Sequence, residues 1–147
     1  MVNASKYLDI LKYYEDNLMY IEDILGSGIT NNTQLEKLGR HIFTNFIGVF
    51  AANEFPKYIN NNSCFIINNK SEGKGEHWIA IFKRNKLYGY DSFDRNVHKL
   101  SKFWKNKYIV NANKDRQQSF KEYNCGSRCM AWLMCFHKFG SRIINVI

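Results

Sequence analysis

The stretch His77-Trp78-Ile79-Ala80-Ile81-Phe82-Lys83-Arg84-Asn85-Lys86-Leu87-Tyr88-Gly89-Tyr90-Asp91 decides how this chain is read. After His77 the first strand is apolar on both faces, the pattern of a strand covered from both sides and central in a sheet. Arg84-Asn85-Lys86 supplies a turn, and residues 87–90 read as a second strand, most simply the hairpin partner of the first. In an antiparallel pair the start of one strand lies beside the end of the next. His77 and Asp91 are therefore expected together at one end of the hairpin. There the carboxylate can accept a hydrogen bond from one ring nitrogen and fix the tautomer, leaving the other nitrogen for a third group.

Upstream, residues 64–67 (Cys-Phe-Ile-Ile) read as a buried strand that follows a turn at Asn60 to Asn62, with Gly73 and Gly75 marking the loop before His77. Residues 46–55 are an apolar loop or short strand closed by Pro56. Residues 4–24 read as a helix, with Leu8, Leu11, Leu18 and Ile21 near helical spacing and Gly26-Ser27-Gly28 ending it. Thr33-Gln34-Leu35-Glu36 has the capping-box pattern, which predicts a second helix carrying Leu35, Leu38 and Ile42.

Downstream, residues 94–104 look helical, 108–110 form a short strand, and 111–124 are a polar loop. Cys125–Phe139 is a strongly apolar helix stopped by Gly140. Helices flanking a small mixed or antiparallel sheet predict an α+β fold, with a cysteine at the N-terminus of a buried helix.

Bulk properties fit one domain. The chain has 147 residues, 45% of them apolar and 16% aromatic, with one proline and no repeat or low-complexity tract. A domain that size buries roughly 70% of its unfolded surface, so its core needs no staples. The longest apolar run, residues 129–136, is too short to span a bilayer. Charged and apolar residues alternate from Lys6 onward, unlike a signal peptide, so an intracellular chain with four free thiols is expected. Heavy use of Asn, Lys and Ile points to an A/T-rich source genome.

The net charge of +8 is unevenly placed: residues 83–116 hold ten Lys/Arg against three Asp/Glu, a net of +7. Such a segment fits either a polyanion-binding patch or a solvated surface. Lys83, Arg84, Lys99, Lys102, Lys105 and Lys107 are the candidate nucleic-acid contacts.

Asn124-Cys125-Gly126 stands just before the apolar helix. A cysteine at a helix N-terminus feels the positive end of the dipole and unpaired N–H groups, and both favour the nucleophilic thiolate. Gly126 would let a substrate backbone approach closely. Nucleophile, base and orienter are then Cys125, His77 and Asp91. Gln118, seven residues before Cys125, could donate from its amide to a developing oxyanion together with the Cys125 backbone N–H. Chemistry alone leaves the adjacent Gln117 equally eligible. Cys125, Cys129, Cys135 and His137 superficially suggest a metal, but all lie in one helix and tetrahedral closure would need ligands from another element. Cys64 reads as inert packing, and His41, His98 and His137 lack a partner argument. Trp78 would either shape the cleft beside His77 or pack in the strand core.

The order His77, Asp91, Gln118, Cys125 resembles that of the adenain family, the adenovirus-type viral cysteine proteases, and more loosely the SUMO-specific proteases of the same clan. The resemblance rests on Gly75-Glu76-His77-Trp78, Tyr90-Asp91-Ser92-Phe93, Gln118 and Asn124-Cys125-Gly126. Phe46-Ile47-Gly48-Val49-Phe50 and Phe55-Pro56 extend it, so that it covers roughly residues 33–139. Relatives of this kind occur in virophages and Polinton-like elements, which matches the A/T-rich composition.

The resemblance implies a cysteine endopeptidase that cleaves viral capsid or core precursors during maturation, in the virion or host cytoplasm. It implies Cys125, His77, Asp91 and Gln118 as catalytic residues, and Trp78, Gly126 and Glu76 beside the substrate. No cofactor is required, though DNA or an activating peptide could stimulate it, and a monomer without membrane attachment is expected. Rival expectations are a deconjugase of ubiquitin-like modifiers and a non-catalytic basic virion protein that binds nucleic acid. Two departures stand out: the family's acid is Glu where this chain has Asp91, and residues 99–117 lack the cysteine through which adenain joins its activating peptide. The first 30 residues fall outside the resemblance. Within them Ile24-Leu25-Gly26-Ser27-Gly28 fits an adenain-type cleavage motif, which would release the N-terminal helix after Ser27, or else is simply a helix-ending turn.

Overall fold

The computed structural model describes residues 4–26, 30–70, 77–118 and 123–147. Glu76, Gly75, Gly73 and the Ser27-Gly28 bond of the possible cleavage motif lie outside the described residues. Helices α1 (Ala4–Leu25) and α2 (Asn32–Ile42) precede strands β1 (Phe46–Phe50), β2 (Cys64–Asn68), β3 (Trp78–Arg84), β4 (Lys86–Tyr90) and β5 (Ile109–Asn111), and helix α3 (Cys125–Phe139) follows. The strands form one mixed sheet in the order β1-β2-β3-β4-β5. The two inner pairings are antiparallel and the two outer ones parallel. The fold is α+β, as the hydrophobic patterns predict.

β3 is central because its sequence allows nothing else. Residues Trp78 to Phe82 are all buried, and alternation sends them to two different cores. Trp78, Ala80 and Phe82 meet α3, whereas Ile79 and Ile81 meet Phe65, Ile67, Val97 and Trp104 on the opposite face. α3 is buried on nearly every side, as a helix apolar all round must be. Phe136 stacks on Phe82 with centroids 4.3 Å apart, and Trp132 stacks on Tyr90 at 5.4 Å while its indole N–H donates to the Ala112 carbonyl. Gly140 ends the helix with φ +67, a conformation that favours glycine.

α1 forms the outer cover of α3. Its Ile10, Tyr14 and Ile21 are buried in the same core as the sheet and α3, and Tyr13 meets Phe139 edge-on at 5.5 Å. The N-terminal helix is thus packed as a layer of the domain, although the family resemblance stops short of it.

Two expectations need correction. The capping box of α2 is built from Asn31 and Gln34, two residues earlier than the Thr33–Glu36 pattern: each side chain bonds the other's backbone N–H at 2.9 Å. Asn with Gln satisfies the same orphan donors as Thr with Glu, and the path of the chain into the helix places Asn31 at the cap. Residues 94–104 are not an α-helix. They hold two short 3₁₀ turns, Val97–Lys99 and Lys102–Trp104. Ser101 interrupts them by accepting the Phe103 N–H on its hydroxyl, and Asn111 takes the Val97 N–H, so side chains replace the continuous helical ladder.

Candidate active site

The hairpin register pairs Ala80 with Tyr90. His77, one residue before β3, and Asp91, one residue after β4, consequently emerge at the same sheet end. Nε2 of His77 lies 2.5 Å from Oδ1 of Asp91, with the two side chains 5% and 0% exposed. α3 is tied to the same place: the Cys129 thiol donates to the Trp78 carbonyl at 3.3 Å. One helical turn earlier, Cys125 lies close enough to the His77 ring for each to shift the other's protonation. Since Nε2 serves Asp91, Nδ1 is the nitrogen left for the sulfur.

Electrostatics follow from this contact. Burial pushes the Cys125 thiol up, but the hydrogen bond and charge of His77, with smaller help from the Trp78 and Gly126 backbone, overcome it and hold the thiol below its ordinary value. Burial pushes His77 down, and the Asp91 and Cys125 contacts more than reverse that. The two shifts together favour thiolate and imidazolium. The other cysteines differ: Cys64 and Cys135 are raised to about 12 by burial, and Cys129 is raised well above its ordinary value. None of the four cysteines is joined to another.

Asp91 has a partner that sequence reasoning missed. Arg95 Nε donates to Oδ2 at 2.8 Å, Arg95 Nη2 reaches Oδ1 at 3.5 Å, and the backbone N–H groups of Arg95 and Phe93 donate at 3.0 and 3.2 Å. Burial would raise this carboxyl, yet the bonds from His77 and Arg95 hold it at about 2. Phe93 also packs its ring 5.0 Å from His77. The available signal was the spacing Asp-x-x-x-Arg, which a tight turn can close as readily as a helix.

Gln118 is buried beside the same turn. Its amide oxygen accepts the Ser92 hydroxyl at 2.5 Å, which fixes the amide so that Nε2 is its donor end, and its backbone N–H donates to the Ser92 carbonyl at 3.0 Å. Gln117 is used otherwise: its oxygen accepts from Tyr90 and its nitrogen donates to the Ile147 carbonyl at 3.0 Å. The two glutamines thus have different surroundings: Gln117 bridges Tyr90 and the chain end, whereas Gln118 packs on Ser92 beside Asp91.

A polar network missed in the sequence braces the start of α3. Asn124 donates to Glu22 of α1 at 2.7 Å and accepts from Arg128 Nε at 3.1 Å. Arg128 also donates to the Tyr14 hydroxyl at 3.2 Å, and Tyr14 lies 2.9 Å from the Tyr90 hydroxyl. α1 thereby reaches both the residue before Cys125 and the strand before Asp91.

The substrate-binding expectations fare less well. Trp78 is a core residue: strand alternation places it under α3, and its indole N–H donates to the Thr30 carbonyl at 3.3 Å. Gly126 is also buried, and a Cβ there would collide with Thr30 Oγ1 and approach Leu35 to 3.1 Å. Glycine is required for packing against α2. Glu76 falls outside the described residues.

The candidate basic residues fall on both faces of the sheet, most of them on one. Lys99, Lys102 and Lys105 line a shallow hollow with His98 and Ser101, while Lys105 and Lys107 border a neighbouring one. Lys83 follows Ile79 and Ile81 on that side of the sheet. Arg84 points to the other side by alternation, with its guanidinium 5.0 Å from the Phe82 ring and Nε on Asn62. Among the described residues, no three His, Cys, Asp or Glu side chains gather so as to hold a metal ion. No described helix is long and apolar enough to cross a membrane.

Searches against protein-family models, curated proteins and solved structures find no match to this chain.

Proposed function

We propose that this chain is a thiol-dependent hydrolase of peptide bonds, and within that class a cysteine endopeptidase acting on viral capsid or core precursors during virion maturation. The observation that carries the reaction type is the His77 imidazole held between the Asp91 carboxylate and the Cys125 thiol. The substrate class rests on the family resemblance.

The chemistry runs as acyl transfer. The Cys125 thiolate attacks the scissile carbonyl, and the oxyanion that forms takes hydrogen bonds from Gln118 Nε2 and the Cys125 backbone N–H. Protonated His77 gives its proton to the leaving amine, releasing the first product and leaving a thioester on Cys125. Neutral His77 then takes a proton from water as the hydroxyl attacks the thioester, and the carbon–sulfur bond breaks to release the carboxylic acid product and restore the thiolate–imidazolium pair. Asp91 holds the ring in the required tautomer throughout and stabilises the imidazolium.

The virion or the host cytoplasm is the proposed site of action, with DNA or a peptide as a proposed stimulator. For DNA, the hollow lined by Lys99, Lys102 and Lys105 is the place to look. The decisive experiment incubates wild type and Cys125→Ala with the capsid precursors of the source virus. Cleavage by wild type alone supports the reading. Intact precursors in both, with cleavage instead of a ubiquitin-like fusion, would move it to deconjugation. Inertness toward both, with DNA binding retained, would favour the binding protein.

A further inference from the structure

We infer that Arg95 is a positioning residue of this site, locking the Asp91 carboxylate so that His77 keeps its Nδ1 turned to Cys125. The inference rests on the thiol-hydrolase reading and extends it to a side chain that touches neither sulfur nor substrate.

Asp91 is fully buried and meets two cations, His77 on Oδ1 and Arg95 chiefly on Oδ2. Its chain doubles back so that the Phe93 and Arg95 backbone N–H groups reach the same carboxylate. With Arg95 Nε on one oxygen and Nη2 toward the other, the carboxylate plane has little freedom to rotate. Arg95 also lies 5.1 Å from the Phe93 ring, and Phe93 lies 5.0 Å from the His77 ring, so a second contact path runs from the guanidinium to the imidazole. A shorter acid than glutamate has fewer torsions to lock, but it must be met at one place by the histidine. The Arg95 fork supplies the opposing restraint.

The guanidinium also offsets the negative charge beside His77. Other ionisable groups facing this cluster are Cys125 and Cys129 on α3, Asp94 in the same turn, Asp115 beside Asp94, and Arg116, which lies 5.8 Å from the Phe93 ring. None of these besides His77 and Arg95 bonds the Asp91 carboxylate through its side chain among the described hydrogen bonds. Removing that positive charge leaves the Asp91 carboxylate less neutralised beside His77, which makes proton loss harder at both His77 and Cys125. Loss of the lock would also let His77 leave Cys125, which raises the thiol further.

The test is the pH dependence of iodoacetamide alkylation at Cys125, followed by peptide mass spectrometry, for wild type, Arg95→Gln and Arg95→Lys. The three other cysteines are buried and contribute little background. Wild type and His77→Ala are compared first: a low, His77-dependent midpoint supports the underlying site, and an ordinary thiol in wild type overturns both the site and the role of Arg95. With the site intact, Arg95→Gln is expected to move the midpoint up by about one pH unit, and Arg95→Lys, which keeps the charge but cannot make the fork, to recover only part of that shift. Midpoints in both variants that superimpose on wild type, even with a lowered melting temperature, would make Arg95 a turn-closing residue and overturn the inference.

Discussion

His77 and Asp91 are separated by 14 positions in sequence, and yet Nε2 of one lies 2.5 Å from Oδ1 of the other because β3 and β4 form a tight hairpin. The hairpin brings this pair together and the turn from Asp91 to Arg95 holds the carboxylate, so the chemical consequences can be tested by single substitutions.

Asp91→Asn keeps the shape and removes the charge. It can present its amide to Nε2 and favour the wrong tautomer, so kcat should fall by about 10² to 10⁴ with KM little changed. Steady-state kinetics on a cleaved precursor peptide check this. Asp91→Glu keeps the charge but should give only part of the wild-type activity, because Arg95 and the Phe93 N–H are set for the shorter side chain.

Stability at acid pH follows from the same carboxylate. Asp91 is held at about 2 against an ordinary 3.8, so its contribution is present above about pH 4 and is lost as pH falls through 2. The loss is on the order of 2 kcal/mol. His77, whose value is raised, acts oppositely: its contribution is full below its unfolded value and fades as pH rises through the folded one. Urea denaturation at several pH values should show the acid slope in wild type, and a smaller slope in Asp91→Asn.

The two glutamines should differ in their effect on turnover. Gln118→Ala should reduce kcat by about 10², as loss of one oxyanion donor does, and should also lower the melting temperature because the buried Ser92 hydroxyl loses its acceptor. Gln117→Ala frees Tyr90 and the Ile147 carbonyl, and should lower the melting temperature while kcat stays within about twofold. Parallel kinetics and calorimetry decide between them.

Tyr14→Phe tests the brace between α1 and α3. The hydroxyl accepts from Arg128 and pairs with buried Tyr90, so its removal should cost about 1–3 kcal/mol by thermal or urea unfolding. An unchanged stability would mean that α1 merely rests on α3.

Much of this was legible in sequence, for a physical reason. The β3–β4 hairpin and α3 announce themselves because apolar runs with turn signals at their ends have few ways to be buried. Ends of elements were less legible: Asn31 and Thr33 can both cap, and only the three-dimensional path of the chain chooses between them. Trp78 and Gly126 look like cleft residues by adjacency to His77 and Cys125, but packing against Thr30 explains both. Arg95 and the Glu22–Asn124 contact join residues whose meeting depends on a turn and on the docking of α1, neither of which has a periodic signature.

Ultraviolet difference titration of thiolate, wild type minus Cys125→Ser, reads the central pair without any substrate. One thiolate should appear below pH 9 in the wild-type difference curve, and its midpoint should climb when His77 is replaced by Ala. A Cys125 thiolate that forms only near pH 9, and at the same pH with or without His77, would contradict the account.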